Sequence, residues 1–254
     1  MTSFKLQEMT LTDTARRPFQ VAVLPVGSTE AHGPHVPYGS DAFHSTEIAS
    51  RSCERASAGK ARVVLLPTIP YGVQGNTMGF PLAMNVRQST LDRVLGDIRD
   101  ALEYHGVKKL VIINGHGGND FKPFLRDSQP ASRVFISLID WWKVGADQMS
   151  SIFENPGEHA DELETSVGMY LFGDLVHLER ARDGATKHSR FEAIRKGWAS
   201  IARPWHLVTN DSTFGDPRKA TRDKGERYVS IVVERVSRYL IELSRSKVDR
   251  RFPY

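Results

Sequence analysis

Four short stretches hold the residue types that could bind a cation or move a proton. Glu30-Ala-His32-Gly-Pro-His35 is followed by Asp41, then by Asn114-Gly-His116-Gly-Gly-Asn119 and by His159-Ala-Asp-Glu162-Leu-Glu164. Carboxylates and imidazoles gathered in one place suit a hard-to-borderline divalent cation, so the chemistry they predict is metal-assisted hydrolysis. Glu30 and His32 are two residues apart, and on an extended segment both side chains point to the same side. Asp41 comes nine residues after His32, past Pro34, Pro37 and Gly39, which favour a turning loop. That loop can return Asp41 to the pair. A carboxylate can bridge two cations, which makes Asp41 the candidate shared ligand.

His116 lies between glycines, which permit close backbone approach. A phosphate-binding nest or a plain tight turn competes with a ligand there, but no Lys-Ser/Thr pair follows, which excludes a P-loop. His159 and Glu162 share a face if the helix already includes His159, while Glu164 then points away; if the helix begins later, that argument lapses. We take Glu162 as a metal ligand and His159 as the titrating group. Glu164 orients His159 or serves as the reserve ligand. Each stretch alone also reads plainly, as a loop cap, a surface histidine, or acids favoured near a helix start.

The elements that must position these residues alternate. Val21–Val26, Val63–Pro67, Leu110–Ile113 and Val134–Ile139 are continuous apolar runs, the pattern of strands buried on both faces. Helical patterns cover Ser45–Ala58, Ser89–His105, Asn119–Asp127, Glu162–Phe172 and Gly225–Leu243. Such alternation predicts a three-layer α/β/α fold with a mostly parallel sheet. Ligands of these sheets bind outside the carboxyl ends of the strands, and the candidate residues follow the strands. Glu30 and His32 come after the first, Tyr71 to Asn76 after the second, His116 after the third and Trp141-Trp142 after the fourth. One of the two tryptophans is expected in the core and the other at the pocket wall. Residues 174–222 are polar and irregular, expected as loops or a cap within a single domain spanning residues 1–254.

Composition narrows the partners. The 254 residues are 40% hydrophobic and 25% charged, with a net charge of only +4. No basic stripe with interleaved aromatics is present, so nucleic acid is not an expected partner. No apolar run approaches the roughly 20 residues that span a bilayer, and residues 1–19 carry no signal-peptide pattern, so the expected location is cytoplasmic. The lone Cys53 permits no disulfide within the chain and no cysteine-based zinc site.

Taken together, Gly27-Ser-Thr-Glu-Ala-His-Gly-Pro-His35 with Asp41, the Asn114–Asn119 and His159–Ser166 motifs, and Gly215-Asp-Pro-Arg-Lys-Ala-Thr221 resemble the creatininase (creatinine amidohydrolase) family, in order from about residue 21 to residue 240. The resemblance implies a homohexamer with a two-metal site, of zinc, manganese or iron, that opens cyclic or other amides. It implies Glu30, His32, Asp41 and His116 as ligands, with Asp41 bridging, and His159 as acid/base. Creatininase has a further Glu ligand two residues after the third-motif histidine. Here that position is Gly118, and Glu162 is expected to fill the gap. The family's Gly-Thr after Phe-Pro is replaced by Leu82-Ala83, which puts creatinine itself in doubt.

The expected reaction is attack by cation-activated water on an amide carbonyl, with the oxyanion assisted by the N–H groups of Gly117 and Gly118. His159 then protonates the leaving nitrogen. Tyr71, Asn76, Phe80, Trp141 and Trp142 complete the expected pocket. None of these is a strong countercharge, so a small, polar, largely neutral substrate is expected. A cyclic ketone derived from a sugar or inositol, a peptide-processing role and a non-catalytic binding protein are the rival readings.

Overall fold

A computed structural model describes residues 3–15 and 18–254 of the chain; the reading of residues 1–19 falls partly outside them. Four strands form one sheet: β1 (Val21–Val26), β2 (Val63–Leu65), β3 (Lys109–Asn114) and β4 (Phe135–Asp140). Their order is β2-β1-β3-β4, and every pairing is parallel. Five long helices flank it: α1 (Ser40–Ala58), α2 (Gln88–Tyr104), α3 (Lys122–Ala131), α4 (Glu162–Leu171) and α5 (Arg222–Arg245).

Every residue of β1 and β3 is buried, and their alternation divides the apolar side chains between two cores. Val21, Val23, Val111 and Ile113 pack with Ile48 and Cys53 of α1, Val167 of α4, and Val232, Val236 and Leu240 of α5. Ala22, Leu24, Val26, Leu110 and Ile112 pack with Leu91, Leu95 and Leu102 of α2 and Phe124 of α3. The sheet is therefore covered on both faces, in the three layers that continuous apolar strands require. Lys109, at the start of β3, is buried and donates to the carbonyls of Leu243 and Ser246, both at 2.5 Å, fixing the end of α5 to the sheet.

The sheet order reverses direction beside β1, since β2 lies on one side of it and β3 on the other. A crevice opens at such a switch point, beyond the carboxyl ends of the strands. The first turn of α1 enters it. A Cβ on Gly27 would fall against the amide nitrogen of Ala42, and one on Gly115 against the carbonyl oxygen of Asp41. Gly115 also donates to Val26 at 2.7 Å, closing the two strand ends together. The glycines after β1 and β3 thus make room for the helix that carries Asp41.

Two element boundaries differ from those expected. Helix α1 starts at Ser40 rather than Ser45, so Asp41 stands on its first turn and not on a loop; residues 33–39 make the turn, where Pro37 accepts from the Ser40 amide at 3.1 Å. Helix α4 starts after His159, capped by Asp161, whose side chain accepts from the Glu164 amide, so the shared-face argument for His159 and Glu162 lapses. Residues 172–221 hold only short helical turns, among them Trp205–Val208, and a bridge joins Phe214 to His159. Among the described residues, no helix is long and apolar enough to cross a membrane.

Candidate metal centre

The segment after β1, the first turn of α1 and the loop after β3 bring Glu30, His32, Asp41 and His116 together, all buried. His116 Nδ1 lies 2.8 Å from Glu30 Oε1 and 3.0 Å from Asp41 Oδ2. His32 Nε2 lies 3.0 Å from Asp41 Oδ1 and 4.0 Å from Glu164 Oε2. The two oxygens of Asp41 therefore face two different imidazoles. Ligand atoms of Glu30, Asp41 and His116 lie within 4.8 Å of one another, as do those of His32, Asp41 and Glu164. A third set, Glu30, His32 and His159, overlaps both; the two sets that share the Asp41 carboxylate have the arrangement a pair of divalent cations takes.

Outer hydrogen bonds aim the rings. His116 donates from Nε2 to the Val73 carbonyl at 2.9 Å, and His32 from Nδ1 to the Glu30 carbonyl at 3.2 Å. Each ring thus turns its other nitrogen toward the carboxylates, as second-shell bonds do for metal-binding histidines. Glu30 Oε1 and Asp41 Oδ2 are buried without a hydrogen-bond partner among the described residues. Orphaned carboxylate oxygens facing imidazole nitrogens fit a cation, which satisfies both at once.

Without a cation, protons must mediate these contacts. Burial alone would lower the two imidazoles, but the Asp41 carboxylate carries His32 up to about 10, and Glu30 and Asp41 carry His116 well above its ordinary value. Against burial, His116 holds Glu30 down to about 2, and His32 with His116 holds Asp41 well below the carboxylate range. Burial, aided by Asp41 against the pull of His32, pushes Glu164 up to about 8.

His159 is buried beside His32, with ring centroids 4.2 Å apart. It donates from Nε2 to the Ala31 carbonyl at 2.8 Å, which leaves Nδ1 for proton transfer. Burial and the neighbouring His32 lower it to about 4, so its ring is neutral at pH 7.

Glu162 is the correction. Its carboxylate turns away from the imidazoles and accepts from the amides of Glu154 at 2.9 Å and Asn155 at 2.6 Å, while Lys224 of α5 pairs with it at 2.5 Å. Glu164, two residues on, reaches the donor set instead; the 100° advance per residue separates the two directions. Position 118 has no room for a ligand in this conformation, because a Cβ there would meet the Val73 carbonyl and the His116 ring.

A cavity of about 440 Å³ opens over the cluster. Asn76, Gly117, Gly118 and Trp142 line it with Glu30, Asp41, His116, His159 and Glu164. Trp141 does not: it is fully buried against Tyr228 and His44. Tyr71, largely exposed, and Phe80, half-buried, are also absent from the lining. Trp205 and Arg203 of the irregular segment, with Lys143, Met149 and Glu158, were not foreseen. The only sequence signal for Trp205 was an aromatic residue inside a polar stretch. The lining thus includes two cations, but each has an acid: Lys143 pairs with Asp140 at 2.7 Å and Arg203 with Glu158 at 2.8 Å.

The Creatininase family, described as creatinine amidohydrolase, matches residues 7–240. The mycofactocin precursor peptide peptidase of Mycolicibacterium smegmatis is 28% identical over 91% of this chain and 87% of its own length. The 3-dehydro-scyllo-inosose hydrolase of Thermotoga maritima is 28% identical over 99% and 86%. A Bacteroides fragilis structure designated a creatinine amidohydrolase superposes with a TM-score of 0.91 at 33% identity, covering 98% of this chain and 99% of that one. Creatininase structures at 24% identity, in manganese and zinc–zinc forms, share the fold with TM-scores of 0.79 and 0.78.

Proposed function

The chain belongs to the creatininase (creatinine amidohydrolase) family of metal-dependent hydrolases, and on that premise we propose that it opens the C–N bond of a small cyclic amide or a related polar substrate. The observation that carries the reading is the pair of donor sets sharing Asp41, whose Oδ1 faces His32 while its Oδ2, with Glu30 Oε1, faces His116 without a hydrogen-bond partner among the described residues. Glu30, Asp41 and His116 would hold one cation, and His32, Asp41 and Glu164 the other. The ligand chemistry suits zinc, manganese or iron. Bound there, two such ions supply Lewis acidity and acidify water toward about pH 7.

The chain's own groups do the rest. His159 Nδ1 takes a proton from the attacking water and returns it to the leaving nitrogen, a transfer that its neutral ring permits at pH 7. The amides of Gly117 and Gly118, at the cavity wall, have no hydrogen-bond partner among the described residues and can donate to a developing oxyanion. Trp142 and Trp205 give the cavity an aromatic wall. Because Lys143 and Arg203 are each neutralised by an acid, the lining favours a substrate without strong net charge.

A second reading is hydrolysis of a cyclic polyol-derived ketone. The Thermotoga relative, similar over 99% of this chain, bears that kind of name, and Asn76, Lys143 and Arg203 offer donors for hydroxyls around the cavity. Assay of the metal-reconstituted protein against lactams, cyclic polyol ketones and short peptides separates the readings. Turnover confined to ketones or to peptides sinks the cyclic-amide assignment. Cytoplasmic residence and homo-oligomeric assembly, a hexamer by family resemblance, belong to the same proposal. Phe191, Trp198, Ile201 and Leu207, all exposed in one segment, are surface that a second copy would cover, and light scattering of the purified protein reads the mass.

A further inference from the structure

Thr77 lies on the short helical turn Gly75–Thr77, in the loop after β2, and is buried at the cavity wall. Its hydroxyl donates to Glu30 Oε2 at 2.8 Å. The other oxygen of the same carboxylate, Oε1, is the one facing His116. The Gln74 carbonyl, at 3.1 Å, competes for the same single proton, but the carboxylate is nearer and charged and makes the stronger bond. Thr77 therefore fixes which Glu30 oxygen turns inward.

The loop that carries Thr77 is stitched to the same segment at other points. Thr29 accepts at its carbonyl from Gln74 Nε2 at 2.6 Å and from the Met84 amide at 3.1 Å. Asn76 accepts from the Arg203 amide at 3.1 Å. A single loop thus forms cavity wall and braces a ligand.

We propose that Thr77 is a positioning residue for Glu30, holding its carboxylate in the orientation that binds a divalent cation and tying that orientation to the loop at the cavity wall. The assignment rests on the two-cation reading above. Removing the hydroxyl frees Glu30 to rotate and to waste its inner oxygen. The cation position built on Glu30 then weakens, while the one built on His32 and Glu164 keeps its donors.

The test is titration of metal-free protein with Zn²⁺ against a competing chromophoric chelator, alongside thermal melting of the metal-free form. The unmodified protein is expected to take up two equivalents. T77V is expected to weaken one of them by about 10–100-fold, the usual size of a lost outer-shell bond, and T77S to stay within about threefold of the parent. Combined with E164Q, which removes the other position, T77V should weaken the single remaining equivalent by the same factor. T77A replaces T77V if the latter does not fold. Parent-like affinity for both ions in T77V overturns the assignment, as does equal weakening of both positions accompanied by a lower melting temperature, the mark of a purely structural Gln74 contact. A parent that binds no Zn²⁺, Mn²⁺ or Fe²⁺ sinks the metallohydrolase reading itself.

Discussion

Replacing Glu162 and Glu164 separately with glutamine distinguishes two carboxylates that stand two residues apart. E164Q should take up one equivalent of cation instead of two and lose most of its hydrolytic activity. E162Q should keep two equivalents of metal but lose about 2 kcal/mol of stability, because a buried carboxylate holding Lys224 and two backbone amides is removed. Metal content and melting curves separate the two, and equal metal loss in both variants would remove Glu164 from the ligand set. Sequence spacing named both residues but could not choose between them, since the choice depends on where α4 begins. A second prediction concerns protons. In metal-free protein His32, His116 and Glu164 all hold a proton at pH 7. Binding two cations should release about three protons, and affinity should rise with pH between 6 and 8. Calorimetry in buffers of different ionisation enthalpy counts them, and a count of zero refutes this set of ligands.

At the level of elements, the crevice depends on the first turn of α1 reaching between β1 and β3. G115A places a methyl group against the Asp41 carbonyl, backbone that cannot rotate aside. We expect a loss of about 1–3 kcal/mol or more in stability, together with weakened metal binding, because the displaced turn carries Asp41. Unchanged melting and metal content would show the turn free to shift. The strands and long helices were legible in the sequence because apolar runs and amphipathic stripes mark them directly. The early start of α1 was not, because Ser40-Asp41 follows a Pro- and Gly-rich stretch that reads as loop. Nor were Arg203 and Trp205, since no periodicity marks the segment that delivers them to the cavity. Trp141 and Trp142 stand on one short helical turn after β4 and divide between core and cavity, but only the packing around Tyr228 shows which goes where.

For the whole molecule, acid should act through buried neutral histidines. His44 is fully buried between Trp141 and Phe172, with neither ring nitrogen hydrogen-bonded, and burial lowers it to about 3. Below its unfolded value of 6.5 the unfolded chain takes a proton that the folded chain refuses. Stability is therefore lost as pH falls from 6.5 toward 3, by about 2 kcal/mol at pH 5 from this group alone. H44L in metal-free protein should move the acid unfolding midpoint to lower pH, and an unmoved midpoint would acquit His44. The bond between Glu162 and Lys224 has a different reach, because it ties the turn presenting Glu164 to a residue 62 positions downstream on α5. During synthesis, Glu30, His32, Asp41 and His116 leave the ribosome well before residues 222–245 exist to dock. The link can close only once that last helix has been made, so the placement of Glu164 answers to the completed chain.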